Sequence, residues 1–562
     1  MSSATGLFSG LLEKAILAVL IAVLAMTYVR GLWVPLMDLD AAHHACIALH
    51  MHLSGDYFSL MDRGADYLDK PHLLFWLAAL AFKLFGPGTM AYKIGSVLFS
   101  VLGIYSTYRL GRILYGPHTG RLAALLLASV LAFVLSNQDV RMDAVLTAAA
   151  VFAVWQWVEF LQHRRIPAFL LACTGMAIGF ATKGAVGIVL PAMAVFFYLL
   201  YRRDWRQLIN PQWILAGLIT LVMLTPVLYA YYQQFDLHPE KMIRGQQGVS
   251  GLRFILLGQS MERFEGSSWG GGGGDPTFFL GTFLWAFLPW SLPALAALFG
   301  QLIRMGRERF RYAAGTEALN AGAIFPFFLL ISAAGYQLPH YINILFPFWA
   351  ILTANYLLTL SDSAARFWFR VQAPVYVILV LIMLILNTAV FRLQNPVIIG
   401  LGICLIALFA YSIIAWRSHV LSRMVLAGFS AAVLTNFLLN FNFYPQVLSH
   451  QAGPALAVAY GNLGLSSDSL YYLEGAETSF SFEFYSNILL RSIDPGEPEE
   501  MSAAKYIYTG EKGLSLLDDL GIPFRVLAEA RHFHVSMLKP RFLNPKTREA
   551  SLSRNYIVQL LL

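Results

Sequence analysis

The feature that most constrains this chain is a succession of long apolar runs, joined by short connections that carry most of the arginines. Backbone in lipid has to satisfy its own N–H and C=O groups, so runs of about 17 to 25 apolar residues are read as membrane-spanning helices. On that reading, spans are expected near 15–35, 88–108, 121–137, 142–161, 167–182, 184–201 and 213–232. More are expected near 277–302, 321–336, 341–360, 371–391, 397–416 and 424–442, about thirteen in all. Composition agrees: of 562 residues, 58% are apolar and 13% charged, with a mean hydropathy of +0.61, a balance that soluble domains of this size do not show. The first run, Ala15 to Val29, follows Lys14 and ends without a small-x-small cleavage site, so it is read as an uncleaved first span.

Short cytoplasmic connections collect Lys and Arg. With the N-terminus cytoplasmic, alternate connections hold Arg109/Arg112/Arg121, Arg164/Arg165, Arg202/Arg203/Arg206, Arg304/Arg307/Arg309/Arg311, Arg366/Arg370 and Arg417/Arg423. The net charge of +7 is therefore a topology signal; no basic face for nucleic acid is present. The same count places the loops 36–87 and 233–276, the segments around Asp143 and Lys183, the turn at Pro339 and the C-terminal segment on the extracytoplasmic side. Cys46, Cys173 and Cys404 are widely spaced and odd in number, which suggests neither a disulfide framework nor a zinc site.

After Phe443 the pattern becomes that of a soluble α/β unit. Strand-like SLYYL (469–473), KYIYT (505–509), FRVLA (524–528) and YIVQLLL (556–562) surround a helix-like GLSLLDDLG. The expected architecture is an α-helical polytopic membrane domain over 1–442 and a small extracytoplasmic α/β domain over 443–562. That domain is either part of the function or a packing cap. The run WGGGGGDP (269–276) is either a plain linker or a mobile lid.

The loop PLMDLDAAHHACIALHMHLSGDYFSLMDRGADYLDKPHLLFW holds an amphipathic stretch at 41–53, expected as an interfacial helix. Asp38 and Asp40 stand just before it, where a helix N-terminus favours anions or simply takes a cap. Asp69 and Lys70 close the loop, and Asp143 and Lys183 fall at span ends on the same side. Ionisable groups at such depth are usually kept for a task. Transfer of a sugar needs a carboxylate to take the acceptor's proton and cations to hold a phosphate leaving group, and these Asp residues with Lys70, Lys183 and Arg263 supply both. A transporter would place such charges near mid-bilayer on broken helices. His43, His44, His50 and His52 are read as interfacial residues contacting anionic lipid, with a zinc site as the alternative, and Tyr336, Trp285 and Trp290 as part of an aromatic belt.

These motifs carry a resemblance. PLMDLDAAHHA resembles the PL-x-D-x-DE-x-RYA opening of GT-C glycosyltransferases of the protein O-mannosyltransferase and lipid A aminoarabinose transferase superfamily, and YLDKPHLLFWL resembles their Y-x-EKPPLLYWL segment. RMDAVLTA, TKGAVGIVLP, ERF at 262–264, FLPWSLP at 287–293 and LPHYINILFP at 338–347 follow in the same order, so the resemblance covers about 10–360. It implies the GT-C fold and inverting transfer from a polyprenyl-phosphate sugar. Asp40 falls on the catalytic general base, Asp143 on a second acidic catalytic position and Lys70 near the donor phosphate, where Lys183 and Arg263 are also expected. Asp38, Tyr67, Asp69, Glu262, His340 and Tyr341 are expected around the same cavity. Ala41 and His43-His44 depart from the pattern and imply different acceptor contacts. Gly270–Gly274 occupy the stretch where some relatives carry a metal-binding His, so no metal or other cofactor is expected, Asp69 being the first ligand if there is one.

The expected function is thus a membrane glycosyltransferase acting on a lipid A, other glycolipid, polysaccharide or protein acceptor, among membrane lipids. Its expected place is a bacterial inner membrane, with the site facing the periplasm. The alternatives are a multi-pass transporter and a non-catalytic envelope assembly subunit.

Overall fold

The computed structural model describes residues 10–561 except 141, 267–273, 313–316, 415–418 and 536. Eight helices among them are long and apolar enough to cross a bilayer: Leu11–Gly31, Asp143–His163, Ile166–Lys183, Trp205–Asp236, Pro339–Leu358, Asp362–Val390, Pro396–Ile414 and Val420–Leu448. Leu73–Phe85, Val186–Arg202 and Leu319–Ser332 are shorter apolar helices, and Thr89–Tyr115 is long enough but less apolar. This criterion does not reproduce the expected count of thirteen.

Two expected spans are each divided. The run 277–302 forms Phe278–Ala286 and Ser291–Arg307, and 121–137 forms Pro117–Ser129 and Leu131–Leu135. Pro289 lies in the first break, where a missing N–H and a bulky ring oppose continuous helix. The two breaks lie against each other. Trp290 Nε1 donates to Ser129 Oγ at 3.2 Å and Asn436 Nδ2 donates to the Ser129 carbonyl at 3.1 Å, satisfying groups that the interruption frees. Trp290 is thus wholly buried between helices, so it does not belong to an aromatic belt.

Connectivity brings one end of the bundle together. Helix 143–163 starts at Asp143 and ends before Arg164 and Arg165; helix 166–183 returns to finish at Lys183; helix 186–202 leaves again toward Arg202 and Arg203. Glycine lets the last two approach closely, since a Cβ on Gly179 would meet the Gly187 backbone at 2.9 Å. The segment after helix 11–31 is fixed by Lys93, whose buried ammonium donates to the carbonyls of Gly31 (3.3 Å) and Val34 (2.6 Å), a cation placed at a helix C-terminus.

Helix Asp40–Ser54, expected from its amphipathic pattern, is held between other elements of the protein. Its apolar side packs on Leu73–Phe85 and on Phe480–Ser486, and most of its residues are buried. Helix 73–85 was read as part of a loop; its 13 residues span about 20 Å, short of a hydrocarbon core, so length alone hid it.

The last spanning helix runs on to Leu448, a few residues past the expected boundary at 443. Beyond it lies a five-stranded sheet in the order Ser492–Ile493, Leu470–Leu473, Tyr506–Gly510, Ser553–Leu560, Phe524–His532. Strand 470–473 runs parallel to both neighbours, and the remaining pairings are antiparallel. Helix Ala452–Leu463 packs against helix 480–486 and strand 524–532, and Glu511–Asp519 follows strand 506–510. All four strand-like segments and the helix-like one fall on elements of the expected type. The two-residue strand at 492 is too short to leave a pattern.

Candidate active site

Six stretches of sequence meet around a cavity of about 160 Å³ lined by Asp40, Asp69, Asp143, Lys70, Lys183, Arg263 and His340, with His43, His44, Tyr67 and Tyr336. Asp69 sits between two cations. Its Oδ2 accepts from Lys70 Nζ at 2.8 Å and, more loosely, from the Tyr67 hydroxyl at 3.4 Å, and its Oδ1 accepts from Arg263 Nη2 at 2.7 Å. Gln259 Nε2 donates to the Asp69 carbonyl, so the peptide is held as well as the carboxylate. Burial alone would raise the Asp69 carboxyl, but Lys70 and Arg263 hold it well below the usual carboxylate range. Lys70 is pushed down to about 8: burial is the largest cause, Arg263 and Lys183 repel it, and Asp69 only partly compensates.

A second pair stands beside the first. Lys183 Nζ donates to Asp143 Oδ1 at 2.7 Å, and His340 Nε2 lies 3.7 Å from Asp143 Oδ2. Arg263 Nη1 donates to the Tyr341 hydroxyl at 2.7 Å, and Lys183 Nζ lies 4.5 Å from the centre of the Tyr341 ring, so this ring ties both cations together. Asp40 is the first residue of helix 40–54, which puts its carboxylate at the positive end of that helix.

The charged cavity opens into two others. An apolar groove of about 390 Å³ shares Asp143, Lys183, Arg263 and Tyr336 with it and continues between Val186, Val189, Phe264, Phe327, Leu330 and Ile331. A third cavity, about 310 Å³, shares Asp143, Leu338 and His340 and is lined by Asp139, Trp285 and Asn343. Asp143 borders all three.

Residues 69–230 match the family profile described as dolichyl-phosphate-mannose-protein mannosyltransferase. Among curated proteins, an uncharacterised protein of Aquifex aeolicus (strain VF5) is 26% identical over 352 residues, 61% of this chain and 64% of the relative. An undecaprenyl phosphate-alpha-4-amino-4-deoxy-L-arabinose arabinosyl transferase of Pseudomonas aeruginosa (strain UCBPP-PA14) is 27% identical over 274 residues, 47% of this chain and 45% of the relative. The chain thus spans less than two thirds of the length of these relatives. The fold likeness is more complete: the crystal structure of ArnT from Cupriavidus metallidurans bound to undecaprenyl phosphate superposes with a TM-score of 0.72 at 17% identity, covering 96% of this chain and 97% of that one. The chain is ArnT-like in fold over nearly its whole length.

Within this ArnT-like fold most of the expected residues converge. Asp40, Lys70, Asp143, Lys183, Arg263, Tyr67, Asp69 and His340 line the charged cavity, and Tyr341 lines the adjoining groove. Asp38 and Glu262 do not. The Asp38 carboxylate accepts from Ser479 and Ser481 of the C-terminal domain, and Glu262 pairs with Arg244 at 3.1 Å. His43 and His44, read as lipid contacts, line the cavity, and His43 Nε2 lies 2.8 Å from Asp62 Oδ2. Tyr336 lines both the cavity and the groove, so the aromatic-belt reading fails for it, whereas Trp285 borders the third cavity and is also 41% exposed, as a belt residue would be.

Gln259 had no sequence signal, since its part is played through a backbone carbonyl. Most of the glycine run at 269–276 lies outside the described residues. A metal does not fit Asp69, whose two oxygens are already engaged by Lys70 and Arg263. Among the described residues, no group of three or more His, Cys, Asp or Glu has the arrangement for a metal ion.

Proposed function

We propose that this chain is a glycosyltransferase that moves a hexose or pentose unit from a polyprenyl-phosphate donor to an acceptor on the extracytoplasmic side, with inversion at the anomeric carbon. The observation that carries the proposal is the junction of cavity and groove. Lys70, Lys183 and Arg263 gather where an apolar channel begins, and a polyprenyl phosphate has that same polarity: a dianionic head on a long hydrocarbon. The Pseudomonas relative is named for such a lipid, a pentose on undecaprenyl phosphate.

In the proposed step the acceptor hydroxyl oxygen attacks the anomeric carbon as the bond from that carbon to the phosphate oxygen breaks. Polyprenyl phosphate leaves with the electron pair, and the growing charge on its oxygens is met by Lys70, Lys183 and Arg263 in a buried setting. Asp69 uses its two oxygens to hold Lys70 and Arg263 in place, and Asp143 uses one to hold Lys183. Asp40, on the cavity wall, takes the hydroxyl proton. The acceptor we favour is a glycolipid such as lipid A. The third cavity gives it a separate approach to Asp143 and His340, with the Trp285 ring and the Asp139 carboxylate suited to a sugar face and its hydroxyls. A polysaccharide or protein acceptor is the alternative.

Helix direction supports the orientation. Helices 143–163 and 186–202 run from the site and end at arginine pairs, so retention of those ends in the cytoplasm puts the site on the other face. The test is a lipid profile of membranes from bacteria with and without the gene. The proposal expects one polyprenyl-phosphate sugar to accumulate and one glycosylated envelope component to vanish in the deletion strain. Identical profiles would contradict it.

A further inference from the structure

We propose that the C-terminal domain is part of the catalytic apparatus, its segment 478–485 acting as a clamp that positions the loop carrying Asp40. The clamp's role rests on the transfer reaction proposed above. Its central contact is Asp38. Oδ2 accepts from Ser479 Oγ at 2.7 Å and Ser481 Oγ at 2.8 Å, Oδ1 accepts from Ser481 N at 3.2 Å, and the Asp38 N–H donates to Gln451 Oε1 at 2.6 Å. One carboxylate is thus held from a domain more than 400 residues away in sequence. Two residues on is Asp40, and the residue between them, Leu39, has φ of 84°, a left-handed conformation that a leucine adopts only when its surroundings impose it.

A second contact holds the loop farther along, at the turn between Asp62 and Ala65. Arg63 makes a buried pair with Glu483 at 2.7 Å, donates to Thr478 Oγ1 at 3.0 Å, and lies with its guanidinium 3.9 Å from the Phe480 ring centre. The same Phe480 ring stacks on His43 at 4.3 Å, and His43 lines the charged cavity. A domain that served only as a cap would bury apolar surface. Beside the apolar packing of helix 480–486 on helix 40–54, the contacts at Asp38 and Arg63 are polar and ionic, half-buried on the loop side with Glu483 fully buried, and such contacts contribute little to net stability and are suited to fixing register. Ser479, Ser481 and Glu483 are therefore positioning residues for the general base.

The test uses the full chain in nanodiscs. Ser479→Ala/Ser481→Ala removes both hydroxyl donors to Asp38 Oδ2 and leaves the Ser481 backbone N–H, and Glu483→Gln weakens the Arg63 contact with little change of shape. Misplacement of a reacting group by about 1 Å costs up to about a hundredfold, so kcat is expected to fall about tenfold to a hundredfold while KM for the polyprenyl donor stays within about twofold. Amide exchange at residues 38–46 is expected to speed up in the double variant, with helices 143–163 and 166–183 still protected. Unchanged kcat, or a loss that merely follows the amount of folded protein, would overturn the clamp. Unchanged exchange at 38–46 would overturn it even if the wild-type chain transferred no sugar, an outcome that would separately refute the proposed reaction.

Discussion

Asp69 shows how single residues divide the work: a carboxylate held by Lys70 and Arg263 is neither a base nor a metal ligand, and its use is to keep two cations buried and aimed. Transfer is therefore expected to survive chelation by EDTA and to respond little to added Mn²⁺; complete loss restored by one ion would refute this. Lys70 makes the activity pH-dependent. Its ammonium titrates at about 8 in the unliganded protein, so the cation is present below that pH and lost above it. The kcat/KM for donor is expected to fall as pH rises through about 8, and Lys70→Arg, which does not titrate there, is expected to move that limb upward. An unchanged limb in the arginine variant would assign it elsewhere. Asp40, Asp69, Lys70, Asp143 and Lys183 were legible because ionisable residues at span ends are rare, and His340 only through the motif LPHYINILFP. Asp38 was misplaced because nothing local tells which way a carboxylate beside a helix start will turn when its partners lie 441 and 443 residues on.

At the scale of elements, the groove is made by helices 186–202 and 319–332 with the helix 259–265 that carries Arg263. Filling it selects against the lipid tail, not the phosphate. Ile331→Trp is expected to raise KM about tenfold for a long-chain donor, matching about 50 Å² of lost apolar contact, and to leave a short-chain donor nearly unaffected. Equal effects on both would place the tail elsewhere. Apolar periodicity revealed most helices and four strands, but it could not show the groove, because lipid-facing and groove-facing residues read alike in sequence. It also concealed the breaks at 130 and 287–290, where residues from distant helices satisfy the backbone.

At the scale of the whole molecule, a spanning bundle with one charged end meets a domain that contacts the loop carrying Asp38 and Asp40. Its orientation predicts that a cysteine placed at Arg309 reacts with a membrane-impermeant maleimide only after the cells are opened, and one placed at Gly496 reacts in intact spheroplasts. The reverse pattern would put the site in the cytoplasm. The order of domains was readable from composition, whereas their contact was not, since it depends on polar pairs between residues far apart in the chain. The most direct measurement is release of polyprenyl phosphate by the purified chain in nanodiscs holding a polyprenyl-phosphate sugar and an envelope glycolipid. The account predicts release matched mole for mole by glycosylated acceptor, and a loss of about 10² to 10⁴ in rate for Asp40→Asn with donor binding retained. No release from the wild-type chain with any polyprenyl-phosphate sugar, or equal rates for the two chains, would contradict it.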